Sequence, residues 1–489
     1  MPICAESNAN RARVGAMPAP SPGSDSTLAP RQETCTSTPS PSGENALLKR
    51  RVILECTSTY ESRYNTGIQR AVRNLVNASL ASTACPGCIA VVYDGRHFVP
   101  LDSLPAHGTS HQRRQPSASP VNLLRNAFHR VRARIVRHAP GTAVRDALHS
   151  ERLEYSLRRL VYAARNGRRW LRSFSRGSTA RVEFRRGDVL VLLDSTWSVD
   201  LRRELRRAKA AGAHIWVVVN DLIPINHPDL APEGTPILIA KWLRRTLPYA
   251  SGLLGISRTV AEEARIYLRQ SGLVGNAPKI DHFYLGAGLD GIAADSAEGG
   301  ALAAALGHFT GSVYLVVGTI EPRKNHGLIL DVFDRLWAEG TDTNLVIFGR
   351  LGWRSHELEA RIRGHSQFGR RLLWLDAGPD SELDYAYRHS SALIFASRCE
   401  GFGLPLVEAM QYGLPVLASD IPVFREIGGD YPIYIDTRDH RPLYDAIRGF
   451  DAKNAEVPRA QRNPRAWLSW SDSARMLLEK VGVLPAARS

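Results

Sequence analysis

The chain has 489 residues, 44% of them apolar and 23% charged, which excludes a wholly disordered protein and leaves room for two or three domains, each with its own core. Its net charge of +15 raises nucleic-acid binding as a function, but residues 113 to 186 hold nineteen Arg, no Lys and four acids, so one segment carries the whole excess. Six cysteines are too sparse for a secreted disulfide framework, and nowhere do eighteen apolar residues run together as a membrane-spanning helix requires.

Residues 1 to 46, rich in Ser, Pro, Thr and Ala and lacking a signal-peptide core, read as a disordered tail. "RVILEC" (51–56) is a short β-rich run, "TGIQRAVRNLVNASL" (66–80) has apolar residues at helical spacing, and "CIAVVYD" (88–94) is the next strand. Cys85-Pro-Gly-Cys88 has the spacing of a redox or zinc half-site without a second half, and so also fits a loop that happens to hold two thiols. The alternation resumes at "DVLVLLD" (188–194), a helix over 199–211, "HIWVVVN" (214–220), a helix around 236–249, "GLLGIS" (252–257) and a helix over 259–270. Residues 286 to 310 are Gly/Ala-rich and read as a linker. A second alternation follows: strands at 313–318, 344–349, 372–375, 392–397 and 415–419, with helices at 326–338, 355–364, 380–388 and 404–412. The fold class is therefore α/β, two doubly wound parallel sheets facing each other, with ligands expected at the carboxyl ends of the strands and in the cleft between the domains.

The basic insert, about residues 112 to 187, carries amphipathic helical patterns such as "VNLLRNAFHRVRARIV" with Arg on the polar faces. That pattern suits peripheral contact with an anionic membrane, and equally a helical hairpin packed on the core with a solvated Arg face. Specific nucleic-acid binding is not expected, because no recognition fold accompanies the charge.

The stretch "CEGFGLPLVEA" (399–409) follows a strand and sets Glu400 in a loop and Glu408 one turn inside a helix. Gly401 and Gly403 allow the loop to bend, Pro405 suits the first helical turn, and the helix start offers unpaired N–H groups and partial positive charge. Two carboxylates for hydroxyls beside amides for a diphosphate make a sugar-nucleotide site. The plain alternative is a helix whose early acids complement its dipole.

"CEGFGLPLVEAMQYGLPVLASDIPVFREI" resembles the E-x7-E signature of family 4 of the retaining, nucleotide-sugar-dependent glycosyltransferases, which have the GT-B architecture of two facing Rossmann-like domains. "VGTIEPRKNHGLIL" (317–330), "TGIQRAVRNL", "NDLIPINHPDL" (220–230) and "WLSWSDSARMLLEKV" (467–481) agree with it. The resemblance implies an acceptor domain over 47–290, a linker at 291–310, a nucleotide-sugar domain over 311–465, and a closing segment, 466–489, that crosses back to the first domain. It gives Lys324, with Arg323, the neutralisation of the donor diphosphate; Glu408 the ribose hydroxyls; Glu400 the donor sugar and the charge developing at its anomeric carbon; and Gly401, Phe402, Gly403 and Leu404 a loop of backbone donors. Asp221 would accept the acceptor proton or hold a sugar hydroxyl, unless it only caps the turn before Pro224. Gly67 would let backbone approach a ligand closely, unless it only starts a helix.

With no nucleophile evident beneath the sugar, the resemblance implies same-face attack with the leaving phosphate helping to take the proton, and no metal or other cofactor besides the donor. "GTIEPRKNH" and "NDLIPINHP" are most similar to a bacterial mannosyltransferase-like branch: a GDP-sugar or other nucleoside-diphosphate sugar as donor, mannose or rhamnose transferred, and a lipid-linked or polysaccharide acceptor in O-antigen or exopolysaccharide synthesis. The protein would be cytoplasmic or peripheral on the cytoplasmic face of the inner membrane. The rivals are an epimerase- or phosphorylase-like GT-B enzyme and a non-enzymatic binding protein using the Arg-rich insert.

Overall fold

The computed structural model describes residues 50–62, 65–105, 181–272, 278–288, 300–376, 378–454 and 465–485. The tail 1–46, most of the basic insert and the first part of the 291–310 linker lie outside them.

The first sheet has seven strands in the order β3-β2-β1-β4-β5-β6-β7: β1 Val52–Glu55, β2 Cys88–Tyr93, β3 Phe98–Leu101, β4 Val189–Leu192, β5 His214–Val219, β6 Gly252–Gly255 and β7 Lys279–His282. All neighbours pair in parallel except β2 and β3, which form an antiparallel hairpin. That hairpin departs from the purely parallel sheet expected. Its cause is local: the Asp94 carboxylate accepts from the Arg96 and His97 N–H groups and closes a tight turn. Pro100 in β3 sits at the sheet edge, where its missing N–H leaves no ladder bond unmade. Helices α1 (Gly67–Ala81), α2 (Arg202–Ala210), α3 (Thr235–Thr246) and α4 (Arg258–Gln270) connect the strands.

The second sheet has six parallel strands in the order β10-β9-β8-β11-β12-β13: β8 Val313–Val317, β9 Asn344–Phe348, β10 Leu372–Leu375, β11 Ala392–Phe395, β12 Val416–Ser419 and β13 Ile433–Ile435. Its helices are α5 (His326–Ala338), α6 (His356–Arg363), α7 (Asp380–His389), α8 (Leu404–Gln411), α9 (Pro422–Gly428) and α10 (His440–Asn454). A short helix, Gly300–Leu306, occupies part of the Gly/Ala-rich stretch. Both sheets therefore reverse direction beside their first strand, β1 against β4 and β8 against β11, which opens a crevice at the carboxyl ends of those strands.

One continuous apolar core joins the halves, taking Ile53, Leu190 and Val217 from the first sheet and Leu315, Leu393 and Leu406 from the second half. A separate core covers the outer face of the second sheet beneath α5 and α10. The last helix, α11 (Trp470–Lys480), starts at a capping box between Ser469 and Asp472 and packs on α1 of the first half. Ser473 donates to the Tyr284 carbonyl at 2.6 Å, and Lys480 pairs with Asp281 at 3.0 Å. Residues 181–187, counted with the insert, are also tied to the first half: the Val182 N–H donates to the Phe98 carbonyl, and Arg51 donates to the Glu183 carbonyl.

Candidate active site

The loop after β8 turns through a short 3-10 segment, Pro322–Lys324, and Asn325 takes a left-handed φ of 61° before α5 begins. The Asn325 amide donates to the Thr437 carbonyl at 3.0 Å, which anchors the turn. Arg323 and Lys324 thereby meet the loop after β11. Lys324 Nζ lies 2.5 Å from one Glu400 oxygen and Arg323 lies 2.7 Å from the other. Arg323 also pairs with Glu321 at 2.6 Å, and its carbonyl accepts the Arg398 N–H at 2.8 Å. Lys324 lies 5.0 Å from the centre of the Phe395 ring, a cation–π distance.

Lys324 and Glu400 are each about nine-tenths buried, so their charges are poorly hydrated. Burial alone would push the Glu400 carboxyl up, but the Arg323 guanidinium and Lys324 ammonium hold it at about 2. Burial lowers Lys324 against the pull of Glu400, while Arg323, flanked by Glu400, Glu321 and Asp221, is raised in spite of burial. The cluster holds two fixed cations whose partners are carboxylates of the same site.

The glycine loop is pressed against the first half. A Cβ at Gly401 would lie 2.1 Å from the Asn220 carbonyl oxygen and 3.1 Å from the Asp221 Cβ, so only glycine fits. Ser257 donates to the Gly401 carbonyl at 2.8 Å from the same side. Gly403 has a φ of 110° and forms the N-cap of α8, with Pro405 in the first turn. The N–H groups of Gly401, Phe402, Gly403 and Leu404 meet no hydrogen-bond acceptor among the described residues. Unpaired amides at a helix start are groups to which an anion can bind.

Asp221 is brought to this cluster. Its Oδ1 accepts the Ile223 N–H at 3.1 Å, the turn-capping role expected of an Asp before Pro224. Burial raises its carboxyl while nearby Arg323 pulls it down. Glu263 on α4 stands in the same field; burial, then Asp221, push it to about 7. Gly67 starts α1, and a Cβ there would meet only Leu404 Cδ1, at 3.8 Å, so it borders the gap but leaves room for a side chain.

Glu408 is placed differently from Glu400. It is 1% exposed, accepts the Tyr387 hydroxyl at 2.7 Å, and forms an ion pair with Arg70, which reaches across from α1 of the first half. The carboxylate expected to face ribose is thus occupied by a guanidinium from the opposite domain. Sequence pattern alone does not single out Arg70, Tyr387, Glu321 or Ser257. Arg70 stands inside the "TGIQR" motif, which is its one available signal; Tyr387 and Ser257 carry none.

A cavity of about 590 Å³ borders the 321–325 turn, lined by Glu321, Asn325, Arg354, Arg398, Arg438 and His440 among others. It shares Glu321 with the ion cluster but includes neither Lys324 nor Glu408. The ion cluster and the adjoining glycine loop, where the buried charges lie, are the candidate site.

Two Rossmann-like sheets with a buried ion cluster at the gap between them define a GT-B protein. Residues 306–460 match the family "Glycosyl transferases group 1". Over 323 residues the chain is 35% identical to the serotype-specific mannosyltransferase WbdA of Escherichia coli, covering 64% of this chain and 39% of that protein. It is 33% identical over 126 residues to the O-antigen chain mannosyltransferase B of Escherichia coli, covering 26% of this chain and 33% of that one. The chain thus spans under two-fifths of the length of these curated relatives. Among solved structures, sucrose-phosphate synthase from Thermosynechococcus elongatus aligns with a TM-score of 0.50 at 17% identity, over 89% of this chain and 97% of that one, which bears on the fold alone.

Proposed function

We propose that this chain is a retaining glycosyltransferase that moves a hexose, mannose first and rhamnose next, from a nucleoside-diphosphate sugar to a lipid-linked or polysaccharide acceptor during cell-surface glycan synthesis. The names of its relatives, a serotype-specific mannosyltransferase and an O-antigen chain mannosyltransferase, support sugar and pathway class. One observation carries the reading: Arg323 and Lys324 meet Glu400 in a buried cluster beside the glycine loop at the carboxyl ends of β8 and β11.

When a donor enters, its diphosphate replaces Glu400 as partner of Lys324 and Arg323 and takes the amides of residues 401–404. Glu400 is then released to the sugar, where its charge stabilises the positive anomeric carbon. Cations fixed before reaction at the departing phosphate are the preorganised electrostatics that group transfer needs. Ribose hydroxyls take over Glu408 as Arg70 withdraws. The acceptor hydroxyl attacks from the face the phosphate leaves and gives its proton to that phosphate, so no metal enters the scheme. The protein works at the cytoplasmic side of an anionic membrane; no helix among the described residues is long and apolar enough to cross one.

A panel of GDP-mannose, dTDP-rhamnose, UDP-glucose and other nucleotide sugars, scored by thermal shift, tests this reading, because a ligand that binds only the folded state raises its melting point. One donor should stabilise the wild type, Glu408→Ala should abolish the shift, and proton NMR of the product should show the donor's anomeric configuration. No shift with any donor, or an inverted product, overturns it.

A further inference from the structure

Two adjacent helices of the first half carry a cationic face that the catalytic reading does not use. On α2, Glu204, Leu205 and Ala208 turn inward, while Arg203, Arg206 and Lys209 share the outer side at spacings of three. On α3, Ile239, Leu243 and Thr246 are buried, and Lys241, Arg244 and Arg245 are exposed opposite them. The helices touch, and Arg202, Lys241 and Arg245 line one notch between them together with the half-buried Trp197 and Trp242. Arg203, Arg206, Lys209, Lys241 and Arg244 form no ion pair among the described residues. The acids nearby offset only part of this charge: Asp200 is exposed but engaged by Arg202 at 2.6 Å, Glu204 is buried against Arg207, and Asp229 and Glu233 are exposed ahead of α3.

Beside this charge stands Ile237, 66% exposed and one turn before Lys241 on the same side of α3. A surface aliphatic residue flanked by unpaired cations is the pattern of a helix lying on an anionic interface, where cations meet headgroup phosphates and the apolar side chain enters the acyl boundary. Single-stranded nucleic acid would instead call for exposed aromatic rings to stack on, and Trp197 and Trp242 are half-buried.

We propose that the outer face of α2 and α3 docks on an anionic lipid bilayer, with Ile237 inserted at its margin. The proposal rests on the proposed function only for its purpose, delivery of a lipid-linked acceptor; its chemistry stands on the face itself.

The test is co-sedimentation of the full chain with phosphatidylcholine vesicles, with or without about one-third phosphatidylglycerol, for the wild type and for the Arg203→Glu/Arg206→Glu/Lys241→Glu/Arg244→Glu variant. The expected result is binding to the anionic vesicles only, weakened about a hundredfold or more in the variant, since each cation near such a surface contributes roughly a factor of five. Ile237→Ser should weaken it further from wild type by several-fold without changing its salt dependence. A control reversing the exposed cations Arg441, Arg448 and Arg475 should bind as wild type. Unchanged binding of the fourfold variant, equal binding to neutral vesicles, or tighter binding to single-stranded RNA than to anionic vesicles each overturns the proposal. The donor-induced thermal shift, measured on the same fourfold variant, should persist; this separates failure at the membrane face from failure of the sugar-nucleotide site.

Discussion

Glu400 is the carboxylate that pairs with both Arg323 and Lys324 in the site. Its folded carboxyl is held at about 2 against an ordinary 4.5, so the native state binds the proton more weakly than the unfolded chain. The stabilisation is fully present above about pH 4.5 and disappears as pH falls through about 2, and it is on the order of 3 kcal/mol. Thermal melts between pH 6 and pH 3 should therefore show a steep loss of stability in the wild type and a flatter profile in Glu400→Gln. Glu263 acts in the opposite direction: burial lifts it to about 7, so stability falls as pH rises from about 4.5 to 7, and Glu263→Gln should remove that slope. For catalysis, Glu400→Gln should lower kcat by about two to three orders of magnitude, the usual cost of one preorganised charge contact, while the donor's thermal shift remains. That Lys324, Arg323 and Glu400 would serve one site followed from their residue types and loops. That they would pair with each other in the unliganded protein did not, because it depends on how two loops seventy-six residues apart meet.

At the scale of the element, the 399–403 loop and α8 are the hinge between charge and fold. Gly401 faces the Asn220 carbonyl too closely for any side chain, so Gly401→Ala forces the loop away from the first half and should destabilise the protein by about 1–3 kcal/mol, the range of overpacking in a filled site. Urea melts measure that cost, and activity should fall more than stability, since the moved loop carries Glu400. The strands that escaped the sequence reading, β3, β7 and β13, share one property: each is the outermost strand of its sheet. A central strand of a parallel sheet is buried on both faces and reads as an apolar run such as "VLVL"; an edge strand such as "KIDH" is half-solvated and loses that signature. α10 is a different case, because Leu443, Ile447 and Phe450 do recur at helical spacing.

Across the whole molecule, the two halves are clasped by charges from both sides of the gap. Glu426 of α9 accepts from the Arg258 and Thr259 N–H groups at the start of α4, and Arg70 of α1 enters the carboxylate of Glu408. Donor binding in the proposed manner must displace Arg70, which makes that ion pair a competitor of the ligand. Arg70→Ala should therefore act twice: it leaves a buried carboxylate unpaired, lowering stability by about 3–5 kcal/mol, and it enlarges the thermal shift a saturating donor produces. Differential scanning calorimetry with and without donor reads both effects, and a smaller shift in the variant would make Arg70 part of the donor's binding surface. EDTA should leave transfer rates unchanged, as expected when Arg323 and Lys324 do the work that a divalent ion does elsewhere; a rate lost to EDTA and restored by magnesium would refute this.

Read by itself, the amino-acid sequence determined the alternation of strands and helices, the two doubly wound sheets, and the loops in which the charged and glycine residues lie, because burial periodicity and turn chemistry are properties of neighbours along the chain. Only the tertiary structure decided which of those residues touch. Arg70 and Glu408 are separated by 338 positions, and Gly401 needs to be glycine because of Asn220 in the other half. Contacts of that span are set by strand order, by the crossing back of α11 and by the facing of two domains, none of which leaves a mark within a window of ten or twenty residues.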